Sequence, residues 1–152
     1  MHVSDHEFIM SLRIRHPHID PAEITEALRV DPQHTWRAGD MRCAPAGDEI
    51  GGTHRESYCT GRVMAKPELA RDQVGVESEI LRALGTLRRS FDLLRRLQEE
   101  GGSAELHVGL YAREEFRLEL LPGSLSLLGR LGLALALDVK PTPEEPSGVA
   151  LN

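Results

Sequence analysis

The stretch that decides the fold is SLRIRHPHIDPAEITEALRV, residues 11–30, which joins a predicted strand to a predicted helix. From residue 8 to residue 16 apolar side chains alternate with polar ones, and this period of two indicates a strand that buries one face. Over residues 21–29 the apolar positions recur at helical spacing. Between them, DPAE at residues 20–23 is typical of a helix start, with an N-cap carboxylate, a proline at the first helical position and an acidic third residue. The chain therefore opens with a strand, a joint and a helix.

Two histidines, His16 and His18, lie at this joint and form the first candidate site. Side chains two residues apart on an extended segment point the same way, and such histidine pairs can bind zinc or iron. The sequence contains neither HExxH nor CxxC, so the remaining ligands would have to come from scattered positions. These scattered candidates are His34, Asp40, His54 and His107. We therefore expect a structural or solvent-facing role for the pair, with metal binding by His16 and His18 as the alternative.

The loop WRAGD, residues 36–40, combines an aromatic anchor, a guanidinium, a turn and a carboxylate. Either Arg37 and Asp40 pair with each other or they contact a ligand, whereas Trp36 is expected to plug the end of the core. A single surface that holds these groups and the joint would be the binding surface of the protein. Its predicted residues are His16, His18, Trp36, Arg37 and Asp40.

Hydrophobic periodicity continues along the chain and predicts eight elements in the order β-α-β-α-β-β-α-β. The later strands are predicted at 56–65, 104–112, 116–120 and 133–140, and the later helices at 80–97 and 122–131. A turn at 113–115 would join the strands 104–112 and 116–120 as an antiparallel hairpin. The first helix stops at Asp31-Pro32, and the weak pattern over 41–55 indicates a loop or a loose hairpin arm.

Because each predicted strand buries one face, the sequence predicts an α+β fold. We expect a mainly antiparallel sheet of about five strands, with the helices packed on one face. The other face of this sheet would display Arg13, Arg15, His107, Tyr111, Arg117, Glu119, Asp138 and Lys140. We expect one domain over residues 1–140 and a flexible tail over 141–152, which is rich in proline and glutamate.

Composition narrows the class of protein. The chain has 152 residues and a net charge of −6, which suits solubility or a basic protein partner and argues against nucleic-acid binding. The first residues do not resemble a signal peptide, and the longest apolar stretch is too short and too charged to span a membrane. We therefore expect a cytoplasmic protein with no membrane partner, in which Cys43 and Cys59 are free thiols.

The segments SLRIRHP, IDPAEIT, WRAGD and LSLLGRLGLALALDV together resemble the bacterial family known as domain of unknown function 4279. The resemblance covers roughly residues 7–140 and is most specific at its N-terminal part. One departure is Tyr58, at a position where the family pattern has a tryptophan. The resemblance implies a small α+β bacterial protein with no established activity. By analogy, small proteins of this type sometimes act as immunity proteins that bind and neutralise toxins.

The sequence favours a non-catalytic role, because it offers no nucleophile elbow, no phosphate-binding loop and no complete metal-ligand set. We expect no cofactor. Our leading hypothesis is a protein-binding module, immunity-like by analogy, that uses either the uncovered sheet face or the surface from His16 to Asp40. The alternatives are a metal-binding protein or metal-dependent enzyme built on His16 and His18, and a homodimer formed through a sheet edge or the polar sheet face.

Overall fold

The computed structural model describes residues 6–63, 68–70, 73–112 and 115–141. Its strands are β1 (His6–His16), β2 (Asp31–Trp36), β3 (Met41–Cys43), β4 (Glu49–Thr53), β5 (Ser57–Arg62), β6 (Glu68–Ala70), β7 (Ser103–Ala112) and β8 (Leu133–Pro141). Its α-helices are α1 (Pro21–Leu28), α2 (Gln73–Leu87), α3 (Phe91–Glu99) and α4 (Pro122–Leu131), and a 3₁₀ turn at Arg88–Ser90 lies between α2 and α3.

The main sheet runs in the order β2-β5-β1-β7-β8, and the short β6 also pairs with β1. All of its pairings are antiparallel except β7 with β8, which run parallel. The strands β3 and β4 form a separate hairpin. The predicted α+β class, with a five-strand and mostly antiparallel sheet, is therefore confirmed.

The core lies on one face of the sheet, as the alternation in the sequence predicts. On β1 the side chains of Phe8, Met10, Leu12 and Ile14 are at most 2% exposed. The alternate residues of β7 are buried in the same cluster, together with the apolar side chains of all four helices. This helix-covered side is called the core face below. The opposite side is called the open face.

The first helix begins where DPAE predicts it. The Asp20 side chain caps α1 by accepting a hydrogen bond from the backbone N–H of Ala22 at 3.1 Å, and Pro21 occupies the first helical position. Arg29 ends the helix in a left-handed conformation with φ 53°. No helix within the described ranges is both long and apolar enough to cross a membrane.

Two of the following predictions differ from the structure, and the third agrees with it. The helix predicted over 80–97 is divided by the 3₁₀ turn, and Ser90, a residue that favours helix ends over helix interiors, lies at the break. Residues 31–36 form a strand, although their side chains are mostly exposed and carry no apolar alternation. The hairpin arm predicted over 41–55 corresponds to β3 and β4.

The largest correction concerns residues 116–120, which alternate like a strand but form no strand. The position beside β7 is occupied by β8, which pairs with it along its whole length. Phe116, Leu118 and Leu120 instead pack against the core as an irregular segment, so Arg117 and Glu119 do not belong to the open face. Most of the predicted 113–115 turn lies outside the described residues. So does the tail predicted over 141–152, except for Pro141, which is the last residue of β8.

Candidate binding surface

His16 lies at the end of β1 on the core face, and its side chain is 0% exposed. Its Nδ1 accepts hydrogen bonds from the backbone N–H groups of His18, at 3.1 Å, and Ile19, at 3.0 Å. Its Nε2 lies 2.9 Å from Oε1 of Glu100. Because an ionised carboxylate only accepts, Nε2 must be the donor, and a single neutral tautomer satisfies all three hydrogen bonds.

The Glu100 carboxylate links this histidine to α1 through an arginine. Arg96 on α3 contacts Oε2 of Glu100 through Nε at 3.2 Å and Oε1 of Glu23 through Nη1 at 2.6 Å. The hydrogen bond from Arg96, and then the one from His16, hold the pKa of Glu100 below its usual range. The chain Glu23–Arg96–Glu100–His16 therefore ties the start of α1 to the end of α3 and to β1.

The backbone also packs closely at this joint. A Cβ added at Gly102 would lie 2.8 Å from the carbonyl oxygens of both Arg15 and Leu97. These contacts are shorter than real Cβ atoms make, so only glycine fits between the end of α3 and β1 without a shift of the backbone. The joint is thus fixed by hydrogen bonds and by packing.

This geometry bears on the metal alternative. Both ring nitrogens of His16 are used inside the chain, so a metal ion would have to displace one of its hydrogen bonds. The exposed His18 ring packs edge to face against His16, with the ring centroids 4.7 Å apart. Across the described parts of the chain, no three His, Cys, Asp or Glu side chains are placed to hold a metal ion together.

The WRAGD loop is closed by its own main chain. Asp40 accepts a hydrogen bond from the backbone N–H of Arg37 at 2.8 Å, and the Asp40 N–H donates to the Arg37 carbonyl at 3.0 Å. The Arg37 guanidinium instead lies 3.8 Å from the Asp20 carboxylate. The carboxylate of Asp40 therefore caps a turn, and Arg37 joins the loop to the start of α1.

Trp36 lies on the open face and does not plug the core, because its cross-strand partner is Tyr58 and the next strand presents Arg15 in line. The indole is stacked between His54, at 4.3 Å between centroids, and Tyr58, at 4.5 Å. Arg15 extends the stack, with its guanidinium carbon 5.5 Å from the Tyr58 ring centroid. A salt bridge to Glu56 at 3.0 Å holds the Arg15 guanidinium in place.

The structure thus separates the five predicted residues. His16 lies on the core face, and Trp36 lies on the open face of the same sheet. His18, Arg37 and Asp40 lie in the loops at this end of the sheet, where the contact between Arg37 and Asp20 connects the two loops. The single surface predicted from the sequence is therefore two regions.

A second cluster on the open face lies outside the five residues of the predicted binding surface, although its His107 is one of the scattered metal-ligand candidates. His107 on β7 contacts Asp138 on β8 through Nε2, at 2.5 Å from Oδ2. This hydrogen bond holds the pKa of Asp138 below its usual range, with smaller contributions from the charges of Arg13 and Lys140. The same residues line a cavity of about 230 Å³. The sequence places these side chains on one face, but their contact requires the parallel pairing of β7 with β8.

Comparison with known protein families identifies the family of this chain. The chain belongs to the family described as Domain of unknown function (DUF4279), whose profile matches residues 6–142. No curated protein and no solved structure gives a significant match.

Proposed function

We propose that this chain is a non-catalytic binding module that engages a protein partner through the open face of its sheet. The observation that carries the proposal is the composition of that face, where Trp36, Tyr58 and Arg15 stack at one end of the sheet. Tyr111 lies toward the other end of the same face, opposite Glu7 on β1. Tryptophan, tyrosine and arginine are the residue types that dominate binding energy at protein interfaces. Tyr111 is 41% exposed, which is high for an aromatic side chain on a sheet face.

The charge of the open face differs from that of the whole chain. The chain carries −6, whereas the strands β1, β7 and β8 place three cationic and three acidic side chains on the open face. These side chains are Arg13, Arg15, Lys140, Glu7, Glu105 and Asp138. The excess negative charge therefore lies elsewhere, and the open face suits a partner surface of mixed charge better than a strongly basic one.

The arrangement around His107 supports binding over acyl transfer. Ser11 is the cross-strand neighbour of His107, which holds Asp138, so the three residue types of a hydrolytic triad lie on adjacent strands. A triad requires a hydrogen bond between the serine and the histidine. Among the hydrogen bonds of the described residues, none joins Ser11 to His107.

The partner class follows only from analogy. An immunity protein neutralises a toxin by binding it, and this role needs a rigid surface and no chemistry of its own. A bacterial cytoplasmic origin would suit that role. The immunity-like role and the bacterial cytoplasmic origin are both proposals, and identification of the partner would test them.

A homodimer through a sheet edge is the second candidate. The strand β8 lies at the end of the sheet path, so one of its backbone edges is unpaired within the described residues. Leu137 and Val139 on this strand are 37% and 49% exposed. Exposed apolar edge strands pair readily with a second chain. Sedimentation over a hundredfold range of concentration tests this, and a monomer at every concentration would exclude it.

The experiment for the open face compares two truncations of exposed side chains. Tyr111→Ala removes an aromatic group from the open face, and Leu125→Ala removes an apolar group of similar exposure from α4 on the helix side. A partner captured from cell extract is identified, purified and measured against the wild type and both variants. We expect Tyr111→Ala to weaken binding about tenfold or more, as for an interface hot spot, and Leu125→Ala to change it about twofold or less. The reverse order would place the interface on the helix side.

A further inference from the structure

We propose that the cavity on the open face is a binding site for a carboxylate, which Arg13 receives. The cavity has a volume of about 230 Å³ and is lined by side chains from β1, β7 and β8. Ligand pockets for larger molecules occupy roughly 300–1,000 Å³. This cavity therefore suits a group the size of a glutamate side chain and is too small for a nucleotide.

Gly109 forms the floor of the cavity at the middle of β7. Its φ is not positive, so the backbone conformation does not require glycine there. An added Cβ would lie 3.7 Å from Cε1 of His107 and from Cγ2 of Ile9, in ordinary contact with both. Glycine weakens a strand interior, and it often marks a place where a ligand approaches the backbone. The missing side chain at this position leaves space between His107 and Ile9 on the open face.

Arg13 supplies the cation at one side of the cavity. Among the described residues it forms no ion pair and no side-chain hydrogen bond, and its Nε is shielded from solvent as well. Six of the other arginines that the structure describes form ion pairs, as Arg15 does with Glu56. A small rotation of this flexible side chain into the cavity would let its parallel N–H groups meet a carboxylate in the bidentate geometry that guanidinium favours.

The neighbouring charges leave this cation available. Asp138 is hydrogen-bonded to His107 at 2.5 Å, so its carboxylate has a closer partner than Arg13, whose charge contributes only a smaller part of the lowered pKa of Asp138. Glu7 lies opposite Tyr111, and Lys140 lies beside Tyr111 on the next strand, so both belong to the far end of the cavity. Glu105, opposite Arg13 across β1 and β7, does not line the cavity. The carboxylate therefore belongs at the Arg13 end, with its carbon chain over Ile9 and Gly109.

The inference shares the open face with the proposed function but does not require it. A free small carboxylate and an acidic side chain of a protein partner would present the same group to Arg13. The experiment therefore first tests whether the site binds a carboxylate and then asks whether that carboxylate is a free ligand or a side chain of the partner.

The probe is N-acetylglutamate amide, and the matched control ligand is N-acetylglutamine amide, which has the same shape without the charge. Each is titrated into ¹⁵N-labelled full chain while the Gly109 amide and the Arg13 Nε–H signals are followed. We expect saturable shifts of both signals with the glutamate probe and binding at least tenfold weaker with the glutamine probe. Equal responses to the two probes, or no shift of either signal, would overturn the proposal.

Three variants locate the effect. Arg13→Gln should weaken binding of the glutamate probe at least tenfold, whereas Arg89→Gln, at an exposed position between α2 and α3, should leave it unchanged. Gly109→Ala, which fills the floor and leaves Arg13 intact, should also weaken it if the fold is kept. Unchanged binding in Arg13→Gln would by itself contradict the proposal. Unchanged binding in a folded Gly109→Ala variant would contradict the placement of the ligand over Gly109.

A competition experiment distinguishes the two possible sources of the carboxylate. If the glutamate probe displaces a purified partner, the group is an acidic side chain of that partner. If the probe binds while the partner remains bound, the site takes a free carboxylate. If binding of the partner depends on Tyr111 but the glutamate probe does not bind, the carboxylate site is wrong and the proposed binding module is still supported.

Discussion

Two histidine–carboxylate pairs lie on opposite faces of the same sheet. His16 contacts Glu100 at 2.9 Å on the core face, and His107 contacts Asp138 at 2.5 Å on the open face. In each pair the histidine uses Nε2, and the carboxylate is more exposed than the ring. The residue types alone, a histidine next to an acidic residue, therefore do not distinguish the two pairs.

The second ring nitrogen separates the two pairs. In His16 it accepts two backbone N–H groups, so the ring fixes the path of the chain into α1. In His107 the described residues provide no such partner, and the ring lines a cavity. A histidine whose donors and acceptors are all used inside the chain stabilises the fold, whereas one with a nitrogen left over beside a cavity can act on a ligand.

Removal of each histidine ring is expected to give the largest difference in stability between the two pairs. His16→Ala would leave the buried N–H groups of His18 and Ile19 without an acceptor, and we expect it to lower the free energy of unfolding by about 2–4 kcal/mol. His107→Ala leaves Asp138 to solvent, and we expect a loss of about 1 kcal/mol or less. Urea unfolding of the two variants measures both values.

A conservative variant sharpens the result for His16. In His16→Asn the amide oxygen can take the place of Nδ1 as the acceptor, while the bond to Glu100 is lost. We expect this variant to recover a clear part of the stability lost in His16→Ala. If both variants were as stable as the wild type, the joint would not depend on the ring.

The next effect concerns the backbone at the joint. Gly102→Ala forces a Cβ to within 2.8 Å of two carbonyl oxygens, so we expect it to lower the free energy of unfolding by about 1–3 kcal/mol. Gly129→Ala is the matched control, because Gly129 lies within α4 and has no atom within 4 Å of the added Cβ. Alanine is the better helix former, so we expect this control to stabilise the protein by about 0.5–1 kcal/mol. Thermal unfolding compares them directly, and a stable Gly102→Ala would mean that the joint can expand.

The elements whose sequence matches one physical rule could be predicted. Alternation gave β1 and β7, because one face of each strand is buried, and DPAE gave the start of α1. The strand β2 could not be predicted, because its side chains are mostly exposed and so its sequence does not alternate between apolar and polar residues. Residues 116–120 alternate, but the neighbouring strand position is already occupied by β8.

The candidate sites show the same division. The joint at residues 16–23 could be predicted as a local unit, because the hydrogen bonds from His18 and Ile19 lie within three residues of His16. The alternation of side chains along each strand also predicted that Arg13, His107 and Asp138 lie on one face of the sheet. It could not give the contact between His107 and Asp138, which depends on the order and direction of β7 and β8.

Acid unfolding compares the two carboxylates. The pKa of Glu100 is lowered by its hydrogen bonds from Arg96 and His16, and the pKa of Asp138 is lowered by that from His107. A lowered pKa contributes stability above the ordinary values, which are about 4.3 for glutamate and 3.9 for aspartate, and this stability is lost as the pH falls through the lower folded value. We therefore expect stability to decline as the pH falls below about 4.5.

The variants Glu100→Gln and Asp138→Asn divide this pH dependence. Glu100 has two hydrogen-bonding partners and the less exposed carboxylate, so we expect Glu100→Gln to flatten the decline more than Asp138→Asn does. Urea midpoints between pH 3 and pH 7 give the two slopes. A larger effect of Asp138→Asn would mean that the pair on the open face contributes more to stability than the pair at the joint, contrary to this expectation.

The smallest expected effect is on reactivity alone. Cys59 is buried on the core face beside Ile14, where burial raises the pKa of its thiol, whereas Cys43 lies exposed on the β3–β4 hairpin. The thiolate is the reactive form, so both access and protonation protect Cys59. We expect one thiol to react rapidly with a thiol reagent at neutral pH and the second to react only as the chain opens. Cys43→Ser should remove the rapid phase, and two equally rapid thiols in the wild type would show that the core face beneath β5 is not closed.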